Sequence, residues 1–160
     1  MAPPLLTLDD MRLTFGGEPV LDGAALIIEP DARVALVCRN VSGKSTLLKI
    51  AVGLVEADAG ERFIDPGATI AYLPQEPDFS KHETVGAYVE AGLARAHDVH
   101  LGRIYDEFGV SPDARCATLS GGEARRAALV RIFASDPDAM LLDEPTNHLD
   151  LPAIEALERR

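Results

Sequence analysis

No stretch of the 160-residue chain reaches the roughly 18–20 consecutive apolar residues that cross a bilayer as a helix. Met1 to Asp10 carry no positive charge ahead of an apolar run, so this end does not read as a secretory leader. Cysteine is scarce: Cys38 and Cys116 stand far apart and in no metal-ligand spacing. The expectation is two free thiols in a cytoplasmic compartment. Basic residues are outnumbered, 15 Lys and Arg against 26 Asp and Glu, for a formal net charge of −11. A nucleic-acid backbone asks for a basic surface, so broad nucleic-acid binding is disfavoured, and the acidic excess reads as a solvated surface. Internal repeats and low-complexity tracts are missing too, which argues against a solenoid.

Hydrophobic residues make up 47% of the chain, enough for a buried core, and the length fits one ordinary domain or a piece of a larger one. Arg12 to Phe15 and Ala24 to Ile28 read as an antiparallel pair around the turn cluster Gly16-Gly17-Glu18-Pro19. Arg33 to Val37 is an apolar run with the look of a buried strand. It leads into a loop, then a helix from about Lys44 to Val52 that Gly53 is placed to end. Asp65-Pro66-Gly67 predicts a turn and Thr69 to Leu73 a strand. From roughly Ser80 to Thr118 the chain is Ala- and Glu-rich, with Val85, Tyr88, Val89 and Leu93 at helical spacing, and this reads as a helical insert. A helix to about Ala134 follows, broken by Ser135-Asp136-Pro137. Ala139 to Leu142 is a strand, and a last helix starts with Asp150 as N-cap and Pro152 in its first turn. Strands alternating with helices predict an α/β fold with a parallel-sheet core.

Gly43-Lys44-Ser45-Thr46, after a predicted strand and opening a predicted helix, has the context of a phosphate-binding P-loop. Backbone N–H groups at a helix N-terminus face an anion, and the helix dipole favours it. Lys44 supplies a point charge for phosphates, the Ser45 hydroxyl suits Mg²⁺, and Gly43 permits close approach. The cradle is Cys38, Arg39, Asn40, Val41, Ser42, Gly43, Lys44, Ser45 and Thr46. It departs from the P-loop pattern at Cys38, where glycine is expected. Val41 stands where a narrower form of the pattern has glycine, and a β-branched residue forced to positive φ there would be strained by about 1–3 kcal/mol. Met140-Leu141-Leu142 leads into Asp143-Glu144, two acids at a strand end. Beside a P-loop strand, Asp143 would hold Mg²⁺ and Glu144 would orient or deprotonate a water.

Leu119-Ser120-Gly121-Gly122-Glu123 resembles the signature motif of ATP-binding-cassette (ABC) proteins. Glu144-Pro145-Thr146-Asn147-His148-Leu149-Asp150 is similar to the segment after their second acidic motif, and Gln75 stands at the place of their Q-loop glutamine. The motifs come in family order, and the resemblance covers about Leu6 to Arg160. Asn147-His148-Leu149-Asp150 and Gly122 to Leu129 look most like the ABC-F class, two-cassette ATPases without a membrane domain that act mostly at the ribosome. The resemblance implies a P-loop NTPase core with N-terminal antiparallel strands and a helical insert at about 80–118, in a partial nucleotide-binding domain spanning 1–160. It implies ATP and Mg²⁺ as ligands: Phe15 stacking on adenine, Lys44 and Ser45 on phosphate and metal, Gln75 sensing γ-phosphate and metal, Asp143 on Mg²⁺, and Glu144 as the catalytic carboxylate. Ser120, Gly121 and Gly122 would contact nucleotide held by a second cassette, and Asp150 belongs to the cassette interface. His148 reads as a structural member of that segment.

The family's switch histidine and closing strands have no counterpart before Arg160, so the expectation is a cassette incomplete at its C-terminus. A fragment or decayed gene is one reading, with Cys38 and Val41 as its motive. A non-hydrolysing module that pairs with a competent cassette is another. An ATP-binding subunit of a transporter is disfavoured by Asn147-His148.

Overall fold

A computed structural model describes residues 3–36, 41–93 and 100–159, with Val41 and Ser42 described by backbone alone. The chain divides into two compact units, 1–72 with 138–143 and 73–137 with 144–160.

The first unit is built on β1 (Leu6–Thr14), β2 (Pro19–Ile28), α1 (Val41–Ala51) and β3 (Ala59–Ile64). Strands β2-β1-β3 form an antiparallel sheet in that order. Period-two alternation puts Leu6 and Leu8 on one face, with Met11 and Leu13 beyond a bulge, and all four are buried. That face packs with Leu21, Leu26, Leu141 and Leu47, Leu48, Ile50 and Ala51 of α1 in one core cluster. Each buried Leu, Ile or Met side chain there contributes about 1.5–3 kcal/mol of apolar burial. The bulge falls at Asp9–Asp10, where both pairings shift register and Asp10 takes φ 46°. Gly60 lies against it at φ 112°, and a Cβ there would sit 2.7 Å from the Asp9 carbonyl oxygen, so only glycine fits. Gly53 ends α1 at φ 77°, with the Leu54 N–H donating to the Lys49 carbonyl at 2.8 Å. Strands β4 (Ile70–Leu73) and β5 (Ala139–Leu142) form a second, two-stranded sheet. Asp138 leads into β5 and accepts both the backbone N–H and the hydroxyl of Thr69 at 2.7 Å, which holds its carboxyl below the ordinary range.

The second unit holds α2 (Val85–Glu90), α3 (Leu101–Phe108), a 3₁₀ turn at Cys116–Thr118, α4 (Gly121–Ala134) and α5 (Leu151–Glu158). α4 packs against α2 and α3, and α3 against α5. Phe108 and Phe133 stack at 5.5 Å between ring centroids, and the Arg131 guanidinium lies over the Tyr88 ring at 4.5 Å. α2 starts where Thr84 caps it and the N–H groups of Val85 and Gly86 donate to the carbonyls of Ala114 and Pro112. The expected insert at 80–118 lies inside this unit. Val85, Tyr88 and Val89 are buried, while Leu93 falls beyond the helix and is half-buried.

Four expectations are corrected. Arg33–Leu36 forms no strand among the described residues and Arg33 to Ala35 are exposed, Val34 by 52%; an apolar run becomes a strand only where a ladder partner pairs with it. Val37 lies outside the described residues. α1 begins at Val41 rather than Lys44. β3 is an additional strand, hidden in the sequence by Glu61 and Arg62. The N-terminal strands are also longer than expected, reaching back to Leu6 and Pro19.

Candidate functional site

The first unit carries the start of α1 and the end of β5. Because α1 begins at Val41, the N–H groups of Val41, Ser42 and Gly43 precede the intrahelical ladder, and no acidic residue stands in this first turn. A helix end of that kind attracts an anion. Gly43 is buried, and Lys44, Ser45 and Thr46 are half-buried. The helical backbone of Val41 removes the expected positive-φ strain there: a β-branched residue sits in the right-handed helical region at modest cost. Cys38, Arg39 and Asn40 lie outside the described residues. Asp143 is 3% exposed at the end of β5, and the hydroxyl of Tyr72 on β4 lies 3.5 Å from its Oδ2. Phe15, just after β1, is 65% exposed.

The second unit begins its share at Glu144, whose backbone takes the left-handed φ of 48°. The Glu144 carboxylate receives two amide donors on one oxygen: Gln75 Nε2 at 3.3 Å and Asn147 Nδ2, both to Oε2. The Asn147 backbone N–H also donates to the Glu144 carbonyl at 3.1 Å, closing the turn that brings its side chain round. Oε1 has no hydrogen-bond partner among the described residues.

Arg125, on the buried side of α4, is 2% exposed. Its Nη1 donates to the Pro74 carbonyl and, at 3.2 Å, to that of Gln75; its Nη2 donates to the Glu144 carbonyl at 2.7 Å. Sequence reasoning missed Arg125 and the grip of Asn147 on Glu144. The available signal was position: Arg125 lies three and four residues before Ala128 and Leu129, a charge on the apolar stripe of its helix.

Ser120 caps α4 in a capping box with Glu123. Its Oγ accepts the Glu123 N–H at 3.3 Å, while the Glu123 carboxylate accepts the Ser120 N–H at 2.8 Å and the hydroxyl at 2.6 Å. The Ser120 side chain, then its backbone N–H, hold the Glu123 carboxyl below the ordinary range. A Cβ on Gly121 would meet the His148 ring at 3.9 Å, but one on Gly122 would lie 2.9 Å from the His148 carbonyl oxygen. His148 is itself left-handed at φ 62°. Asp150 caps α5 by accepting the Ala153 N–H at 3.2 Å and pairs with Arg126 at 3.4 Å. The second unit therefore brings Gln75 together with Glu144, and Ser120, Gly121 and Gly122 together with the segment 147–150.

Among the described residues no group of three or more His, Cys, Asp or Glu is placed to hold a metal. The donors on offer, the Ser45 hydroxyl and the Asp143 carboxylate, are hard oxygens. They suit Mg²⁺, which takes one or two protein ligands and fills its shell with water and phosphate oxygens. No helix among the described residues is long and apolar enough to cross a membrane.

A family model described as ABC transporter matches residues 21–147. ATP-binding protein Uup of Caulobacter vibrioides is 51% identical over 156 residues, 97% of this chain and 25% of that protein. Energy-dependent translational throttle protein EttA of Mycobacterium tuberculosis is 33% identical over 200 positions, 99% of this chain and 36% of that protein. That alignment is longer than the chain, so EttA carries residues in this stretch without counterpart here. Among solved structures, the ATP-binding subunit of an ABC transporter superposes with a TM-score of 0.85 at 25% identity, over 97% of this chain and 72% of that one. The chain spans 25% and 36% of the length of these two curated relatives, and the ABC-F likeness expected from Asn147-His148-Leu149-Asp150 is borne out by Uup and EttA.

Proposed function

Because the chain belongs to the ABC family of ATP-binding cassettes, we propose that it binds Mg-ATP through Lys44 and Ser45 and, paired with a second cassette, uses Glu144 to activate the water that hydrolyses it. The observation that carries this reading is the Glu144 carboxylate, with two amides on Oε2 and Oε1 unengaged among the described residues. A carboxylate fixed by one oxygen and open at the other is an oriented proton acceptor.

The roles follow from the chemistry of each side chain. The opening N–H groups of α1 and the Lys44 ammonium bind phosphate oxygens. Ser45 and Asp143 are the oxygen donors for Mg²⁺, which when bound supplies charge neutralisation at the phosphates. Gln75 and Asn147 hold Glu144, and Glu144 takes the proton from water at Oε1. Phe15 offers an exposed ring for adenine. Ser120, Gly121 and Gly122 present a capped helix N-terminus to nucleotide held by the partner cassette, with Asp150 beside them. A cytoplasmic location and work at the ribosome are supported by the likeness to EttA, a translational throttle protein by name.

Titration of the purified chain with a fluorescent ATP analogue and Mg²⁺, together with phosphate release, tests this. Lys44→Ala is expected to weaken binding by about tenfold or more, the loss of a charge-assisted contact of about 1.5–3 kcal/mol. Glu144→Gln should keep binding and abolish release. Phe15→Ala should weaken binding by about two- to tenfold, the range for an aromatic contact. Release that survives Glu144→Gln overturns the assignment of the base, and binding that ignores Lys44→Ala overturns the phosphate site. Binding without release by the unaltered chain favours the non-hydrolysing module.

A further inference from the structure

We infer that Arg125 is the positioning residue of the proposed hydrolytic site, holding the backbones of Gln75 and Glu144 in register so that their side chains meet. The inference rests on the ATPase reading for its purpose, but its geometry stands on its own. Gln75 and Glu144 come from segments far apart in sequence, and Arg125 is bonded to the main chain of both. One guanidinium nitrogen serves Pro74 and Gln75, and the other serves Glu144. This division needs a planar fork with two terminal nitrogens. Lysine places its donors on a single atom and cannot reach both segments in the same way.

Two further observations give the clamp a task. Arg125 is 2% exposed, so water does not compete for its donors. Glu144 is held at φ 48°, a region that a non-glycine residue keeps only where its surroundings enforce it. The Nη2 bond falls on the carbonyl of that residue, at 2.7 Å. Arg125 therefore fixes the peptide that aims the Glu144 side chain, and fixes Gln75 from the other side. The side-chain contact between Gln75 and Glu144, at 3.3 Å, is the result.

A residue with only a packing role would lower stability without coupling these two segments. Amide hydrogen exchange on the 160-residue chain separates the cases. In Arg125→Lys, the amides of Gln75 and Glu76 and those of Glu144, Thr146 and Asn147 should exchange faster together, by about tenfold, the population change that one lost hydrogen bond of this kind allows. Amides of α1, and the affinity for a fluorescent ATP analogue, should stay within about twofold. Arg125→Gln, whose two N–H groups also sit on one nitrogen and on a shorter arm, should loosen both segments at least as much. Where phosphate release is measurable, Arg125→Lys should lower kcat by about 10- to 100-fold with KM for ATP nearly unchanged. Gln75→Ala should then add little in the Arg125→Lys background.

The proposal is overturned if only one segment loosens, if KM rises in step with kcat, or if the Gln75 and Arg125 effects multiply independently. It is also overturned if both Arg125 variants lose the cooperative fold, because the residue is then structural. Absence of phosphate release by the unaltered chain sinks the ATPase reading alone, and the paired exchange result still decides the role of Arg125.

Discussion

Replacing Gly122 with alanine places a methyl group where the main chain leaves no room. The added Cβ would lie 2.9 Å from the His148 carbonyl oxygen, nearer than carbon and oxygen ordinarily approach. His148 cannot readily yield, since it already holds a left-handed φ of 62°. Overpacking of this kind costs about 1–3 kcal/mol. Against it stands the intrinsic preference of a helix for alanine over glycine, about 0.5–1 kcal/mol and less in a first turn. The clash wins, so Gly122→Ala is expected to destabilise by about 0.5–2 kcal/mol.

The neighbouring residue supplies the control. A Cβ on Gly121 meets nothing closer than the His148 ring at 3.9 Å, an ordinary contact, so Gly121→Ala should be neutral or stabilising by up to about 0.5 kcal/mol. Thermal melting of the two variants, followed by circular dichroism at 222 nm (the usual helix signal), reads the difference. At about 2–4 °C per kcal/mol for a chain of this size, Gly122→Ala should melt several degrees below Gly121→Ala. The reasoning fails if Gly122→Ala melts at or above Gly121→Ala. That outcome would mean the missing side chain at Gly122 serves a ligand alone, rather than the approach of the His148 main chain.

Asn147→Ala leaves Gln75 as the remaining described amide on Glu144 Oε2, and phosphate release should fall by about tenfold with ATP affinity intact, measured side by side in one preparation. Glu123 is an acid with a depressed pKa, so its contribution is present above its unfolded value near 4.5 and fades as pH falls through the folded value. Glu123→Gln should therefore flatten the acid side of a stability-against-pH curve taken by urea unfolding. The Tyr105 hydroxyl is buried with no hydrogen-bond partner among the described residues, and burial, with Glu90 nearby, pushes its pKa up to about 12. A raised acid contributes stability below its ordinary value near 10 and loses it as pH climbs through 12, so Tyr105→Phe should remove an alkaline loss of stability in that window. At neutral pH the same variant should be as stable as the parent or more so by up to about 1 kcal/mol, because no hydrogen bond to a described residue is broken.

What could be read from the sequence divides by the range of the interaction. Asp150 and Pro152 at the start of α5 and Gly53 after α1 act within one helical turn and are legible as such, and Asp150 also stands in a motif that resembles the family's. Strands depend on distant partners, and there the reading failed in both directions. Arg33–Leu36 has the apolar pattern but no described ladder, while Ala59–Ile64 has charges but pairs with β1, because Gly60 lets it lie against the bulge at Asp9–Asp10. The candidate site repeats this division. Asp143 and Glu144 are legible because two acids at a strand end have the right chemistry for a metal and a water, and Gln75 through the family resemblance. The role of Arg125 is not, although the residue lies in the Gly122–Leu129 stretch, because it bonds to carbonyl oxygens, which every residue has. The side chains that would meet a substrate are thus written in residue type, whereas their alignment is written in main-chain contacts. It follows that substitutions which leave Gln75, Asp143 and Glu144 intact can still separate Gln75 from Glu144, provided they act on Arg125 or on the turn closed by Asn147.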